Sequence, residues 1–183
     1  YGITLRPLAS FAARVYADDP CEKFMPHILD VNKYDPIDEN LAAKMHKAIV
    51  IMQFKVEGQR IKAHPEYGMD KRLILDKIDF ENATVEIEGK TWNLREANFP
   101  TINKDDPYEL SKEEEKVLNS LEASIVNSEK LQKHIRFLFS QGALYKKING
   151  NLMYHGCIPM TEDGEFADVT VNGRMFRGKA LMD

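Results

Sequence analysis

The sequence predicts an α+β fold: long amphipathic helices with a small antiparallel ribbon, plus a C-terminal pair of β-hairpins. Three observations predict it. Apolar residues recur at three- and four-residue spacing through two long stretches, 35–62 and 111–141. The period drops to two over about 73–94. It drops to two again after residue 143, where two Asn-Gly pairs separate short alternating runs.

The chain is long enough for one domain with a core, or for a domain and a lobe. With 43% hydrophobic and 30% charged residues it reads as folded rather than disordered. A net charge of −4 gives no overall attraction for nucleic acid. No apolar run approaches the roughly 20 residues of a membrane span. Arg6 and Arg14 break up the first residues, so no secretory signal is read there. Cys21 and Cys157 are the two cysteines, with no Cys-x-x-Cys and no zinc spacing. Two lone cysteines fit reduced thiols in a cytoplasmic protein better than a disulfide framework. The chain starts at Tyr1 inside a helical pattern and stops as another helix opens, so it reads as a piece of something longer.

In order, 3–15 places Ile3, Pro7, Leu8, Phe11, Ala12 and Val15 on roughly one helical face. Asp18, Asp19 and Pro20 end it, and 21–34 reads as a loop packed on the surface. Asp35-Pro36 is a helix start signal, a capping oxygen followed by proline. The helix then runs to about 62, with Gly58 as a weak point and His64-Pro65 as its end. Its methionines read as core filler. Strands are expected at 77–80, 84–87 and 91–94, with Glu88-Gly89 as a tight turn and Trp92 as a cover residue. Ser111 and Glu114 make a capping box. Asn127-Ser128-Glu129 caps a second helix, whose stripe is Leu131, Ile135 and Leu138, and Gly142 stops it. Asn149-Gly150 and Asn172-Gly173 each turn a hairpin, and the two hairpins are expected to share a sheet.

Five histidines are candidates for chemistry. His27 and His64 lie beside prolines, and His46 lies off its helix's apolar face, so all three read as structural or surface groups. Lys130, Lys133, His134 and Arg136 form a basic run that could hold a phosphate, against the plainer reading of a solvated helix face. His155 differs in position. It ends an apolar strand directly before Gly156, where a rigid scaffold can present a ligand or an acid/base group. No complete catalytic motif accompanies it: there is no phosphate-cradling glycine loop, no nucleophile elbow and no His-Glu-x-x-His. Asp163, Glu165 and Asp168 surround Gly164 as a turn rather than a calcium loop.

Six stretches carry a resemblance across essentially the whole chain. They are Tyr1-Gly-Ile-Thr-Leu-Arg-Pro-Leu-Ala-Ser-Phe-Ala, Asp19-Pro-Cys-Glu-Lys-Phe, Lys44-Met-His-Lys-Ala-Ile, Asn127-Ser-Glu-Lys-Leu-Gln-Lys-His-Ile-Arg-Phe-Leu, Leu152-Met-Tyr-His-Gly-Cys-Ile-Pro and Gly178-Lys-Ala-Leu-Met-Asp. Together they resemble the middle of the class III fructose-1,6-bisphosphatases of Firmicutes, which are similar to calcineurin-like metallophosphoesterases. The resemblance implies three parts: a truncated core helix and loop at 1–34, a mostly helical insertion with its ribbon at 35–142, and at 143–183 a hairpin segment of a truncated metallophosphoesterase core. It implies a cytoplasmic hydrolase of carbohydrate metabolism that removes the 1-phosphate of fructose 1,6-bisphosphate in gluconeogenesis. The family's site holds two metal ions, expected to be manganese, that activate a water. Of its ligand motifs, only the lone histidine carries over, onto His155. The Asp-x-His-Gly, Gly-Asp-x-x-Asp-Arg-Gly, Gly-Asn-His-Asp and Gly-His-Thr motifs are not in this sequence. The 183 residues alone are therefore expected to be inactive. A homo-oligomer is possible on this reading, and neither nucleic acid nor membrane is expected as a partner. The competing readings are a non-catalytic helical module for interaction or regulation, and a phosphoesterase with a different substrate.

Overall fold

The structure, a computed structural model, describes residues 1–27 and 38–183. The chain forms two compact units: Gly2–Asn127, and Ser128–Asp183 together with Tyr1. The division falls between Asn127 and Ser128, so the second long helix of the 111–141 stretch belongs with the hairpins.

The first unit is built on three helices, α1 (Arg6–Val15), α2 (Glu39–Ala63) and α3 (Lys112–Val126). Helix α1 packs on the other two. Leu8, Phe11, Ala12 and Tyr16 meet Ala43, Ala48, Met52 and Val117 in one buried cluster. The sequence pattern is recovered in α1, although the helix begins at Arg6 with Pro7 in its first turn. For α2 the described cap is Asp38, whose carboxylate accepts the Leu41 N–H at 3.0 Å. The proposed start at Asp35-Pro36 lies outside the described residues. Asp38 is itself a capping residue in extended geometry, and it satisfies a free N–H of the first turn. The stretch after α1 is not simply a surface loop, because Cys21 is fully buried and Glu22–Phe24 forms a 3₁₀ turn against α2.

Gly58 is required by packing rather than being a flaw in α2. The Tyr108 ring lies on it, and an added Cβ would come within 2.1 Å of a ring carbon. The Tyr108 hydroxyl donates to Asp76 and accepts the Leu75 N–H, both at 3.1 Å. Gln59 donates to the Tyr108 carbonyl at 2.7 Å. Tyr108 thus ties α2 to the base of the ribbon. Burial pushes its hydroxyl pKa up to about 12, and the bond with Asp76 acts in the same direction.

The ribbon has the order β1 (Ile78–Asp79), β2 (Thr84–Ile87), β3 (Lys90–Asn93), all antiparallel. Glu88 and Gly89 both take positive φ, as a tight hairpin turn demands. Its first part differs from expectation: Asp70–Arg72 and Leu75–Lys77 are 3₁₀ turns. Leu75 is drawn under Tyr108 instead of alternating in a strand. Trp92 is 56% exposed, so it does not act as a cover.

Helix α3 starts on the predicted capping box. Ser111 accepts the Glu114 N–H at 3.2 Å, and Glu114 accepts the Ser111 N–H at 2.7 Å.

The second unit opens with α4 (Glu129–Gln141), capped by Ser128. Gly142 does end it, but in extended rather than left-handed geometry. Glycine is needed there because a Cβ would press within 2.4 Å of the Leu138 carbonyl oxygen. The strands β4 (Tyr145–Ile148) and β5 (Asn151–Tyr154) form one hairpin, and β6 (Asp168–Val171) and β7 (Arg174–Arg177) another. They form two separate sheets, not the single sheet expected. The segment between them folds on itself through a Met160–Phe166 bridge and a Thr161–Glu165 turn. A short helix α5 (Lys179–Met182) follows β7. Among the described residues, no helix is long and apolar enough to cross a membrane.

Candidate functional site

The Asn149-Gly150 turn sets the position of His155. Both turn residues have positive φ, which fixes the register Tyr145↔Tyr154 at the open end of the hairpin. One residue further on, the His155 N–H still donates to the Leu144 carbonyl at 3.2 Å. At Gly156 the chain turns with φ +81°, a conformation that strains any residue with a side chain. His155 is thus pinned by its backbone at a strand end. Its imidazole is exposed and makes no side-chain hydrogen bond among the described residues. That leaves both ring nitrogens available to a ligand. Among the described residues, no group of three or more His, Cys, Asp or Glu could hold a metal ion. His155 is therefore a single donor. The described residues of this chain do not form a dinuclear site.

The basic run lies along α4 and is exposed. Lys130, Lys133 and Arg136 follow at three-residue spacing, which makes them neighbours on one ridge. His134 points elsewhere. Its Nδ1 lies 2.7 Å from the Tyr1 hydroxyl, and the two rings meet edge to face at 5.5 Å. Lys130 Nζ lies 5.8 Å from the centre of the same Tyr1 ring. Lys133 and Arg136 make no ion pair among the described residues, so they are the members of the run free to meet an anion. The structure does not bring this run together with His155 as a described contact. Of the other histidines, His46 meets the Phe24 carbonyl at 3.3 Å, His64 meets Glu66 at 2.8 Å while stacked on Tyr67, and His27 is exposed.

Sequence reasoning missed a buried ionic spine along α2. Lys47 has no solvent exposure and lies 2.6 Å from Asp19 and 3.4 Å from Glu96. The rings of Tyr16, Phe24 and Phe99 surround its ammonium at 5.3 to 5.7 Å. Asp19 also accepts from Asn98 Nδ2 at 3.0 Å and from the Cys21 N–H at 2.8 Å. Burial alone would raise the Asp19 carboxyl, but the bonds from Lys47 and Cys21 outweigh it and hold the group below the usual carboxylate range. Two turns along, Lys55 donates to Glu114 at 2.8 Å and to the Thr101 carbonyl at 2.6 Å. Glu114 therefore serves the α3 cap and a buried ion pair at once. Burial, then the charge of Asp19, pushes the Cys21 thiol up to about 11, which makes it a poor nucleophile. These groups fasten the helices and the 94–114 segment together. Lys47, Lys55 and Glu114 are closed to solvent.

Comparison with known proteins decides the family. A family model described as Firmicute fructose-1,6-bisphosphatase matches residues 1–183. The chain belongs to the Firmicute fructose-1,6-bisphosphatase family. Similar proteins named fructose-1,6-bisphosphatase class 3 occur in Clostridium acetobutylicum (52% identical over 183 residues), Alkaliphilus metalliredigens (52% over 185) and Clostridioides difficile (49% over 183). Each alignment covers 100% of this chain and 28% of the relative. The chain thus spans a little over a quarter of the length of these fructose-1,6-bisphosphatases. No solved structure matches it.

Proposed function

We propose that the protein carrying this chain is a fructose-1,6-bisphosphatase. It hydrolyses the 1-phosphate of fructose 1,6-bisphosphate to fructose 6-phosphate in the cytoplasm, as part of gluconeogenesis. The observation that carries the reading is identity near 50% along all 183 residues to proteins of that name. His155 contributes one ligand to a dinuclear manganese site of metallophosphoesterase type, and polypeptide outside these residues supplies the rest. When bound, such ions polarise the phosphate and lower the pKa of a water. This chain's part is to hold one imidazole, backbone-fixed and uncommitted, at the end of β5. The helical region is an insertion into that core, with residues 143–183 belonging to the core itself.

In the full-length protein, His155→Ala should weaken manganese binding and lower phosphate release at least about tenfold, within the range that loss of a metal-binding interaction produces. Manganese titration of wild type against the variant measures this. Unchanged affinity and rate would favour the non-catalytic module instead. The purified 183 residues should release no phosphate at any manganese concentration. A metal-dependent rate from them would refute the shared site.

Lys133 and Arg136 are the groups that meet a sugar phosphate or an anionic effector. Reversing either charge in the full-length enzyme should raise the KM or the effector concentration needed for half-effect, with kcat little changed. If both quantities stay at their wild-type values, the ridge is only a solvated surface.

A further inference from the structure

The β4–β5 hairpin carries large apolar side chains on both faces. By its register, Tyr145, Leu152 and Tyr154 share one face with Lys147, while Ile148 and Met153 share the other with Lys146 and Asn151. A solvated sheet face is ordinarily polar, so the apolar half of each face is surface that a covering layer would bury. The first face has partial cover from Phe166 and Met182, with which it lines a small apolar hollow. Among the described residues the second face shows no such cover, and Ile148 and Met153 stand 45% and 50% exposed.

The end of α4 repeats the pattern. Phe137, Leu138 and Phe139 are consecutive, so they point to three sides of the helix. They are 63%, 64% and 86% exposed. Three adjoining large apolar side chains exposed together mark a contact surface rather than an ordinary solvated helix end. Yet among the described residues, the buried apolar side chains all lie between Leu8 and Val117, in the other unit. A lone two-stranded hairpin is at best marginally stable in water.

Resting on the reading that this chain works within a longer phosphatase, we propose that the end of α4 and the outer face of the β4–β5 hairpin form an interface inside one polypeptide. Phe139, Ile148 and Met153 are covered by the part of that polypeptide outside residues 1–183. The relatives supply the material, since the matched span is only 28% of their length. A two-fold contact between copies would cover one patch of each subunit. Here the exposed apolar side chains stand on two elements, the hairpin and the helix end. The same contact brings polypeptide to the rim where His155 stands, one residue beyond β5. That is where further metal ligands must arrive.

The test uses the full-length protein in a Cys157→Ser background with Phe139→Cys or Met153→Cys, and labelling is read at the introduced cysteine by peptide mass spectrometry, because Cys21 also reacts once the chain is unfolded. The rate of labelling by a bulky maleimide is compared with the rate for the same protein unfolded in urea. Both positions should react at least about 100-fold slower in the native protein, at every protein concentration. Rates within a few-fold of the unfolded value would overturn the proposal. So would protection that disappears on dilution, because the cover would then be a second copy. Hydrogen exchange on the unsubstituted full-length protein guards against a misfolded variant: the β4–β5 amides should be strongly protected, and exchange at unprotected rates would overturn the proposal equally. Phosphate release from fructose 1,6-bisphosphate, assayed on the same wild-type sample, judges the functional reading separately. Protection with no hydrolysis would sink that reading and leave the interface standing.

Discussion

Lys47 and Lys55 show how charge can be built into a core. They lie on one row of α2, at four-residue spacing with Ala43 and Ile51, all of them buried. Lysine is almost never fully buried unless paired. Here each ammonium has a carboxylate within 2.8 Å. Removing one partner strands the other, so Lys47→Met should cost about 3–5 kcal/mol in urea unfolding of the chain. A loss below about 1 kcal/mol would mean that methionine repacks well enough to replace the pair. The pH dependence follows from Asp19. Its folded pKa is depressed, so its contribution is fully present above the unfolded value of about 3.9 and is lost as pH falls through the folded value. Stability of wild type should drop in that acid window, and Lys47→Met should flatten the drop. The spine was hidden in the sequence because periodicity assigns lysines to solvent. Its one legible trace was that both lysines fall on the apolar row. His155 was legible for the opposite reason: strand end and glycine are local signals, and the structure keeps them.

At the scale of elements, what short-range chemistry dictates came through. The Ser111 capping box, the Ser128 cap and the three positive-φ turns stand where their residues put them. What depended on distant partners did not. The 3₁₀ turns before β1 form because Leu75 is held under Tyr108, and no local rule anticipates a tyrosine 33 residues away. Gly58 is the sharpest case. Helix propensity alone says that Gly58→Ala gains about 1 kcal/mol. The Tyr108 ring occupies that space, so the substitution should instead cost about 1–3 kcal/mol through overpacking. Thermal unfolding of the variant decides the sign, and a raised Tm would mean that the ring can move aside. The two hairpins were each legible from Asn-Gly, but their separation was not, because joining sheets requires edges to meet across the fold.

The whole molecule joins a unit with a well-filled core to a unit whose apolar residues are mostly uncovered. That contrast fits a chain spanning 28% of its relatives' length. The family was legible from long ordered stretches, and matching over residues 1–183 places the chain in it. A catalytic site was not legible as a constellation, because these residues provide a single exposed imidazole at a strand end. The decisive measurement is phosphate release from fructose 1,6-bisphosphate by the full-length protein, titrated with manganese, for wild type and His155→Ala side by side. Manganese-dependent hydrolysis in the wild type, with both affinity and rate reduced in the variant, is the predicted result. Equal titration curves for the two proteins would contradict the assignment of His155 as a ligand, and no hydrolysis by either would contradict the proposed function itself.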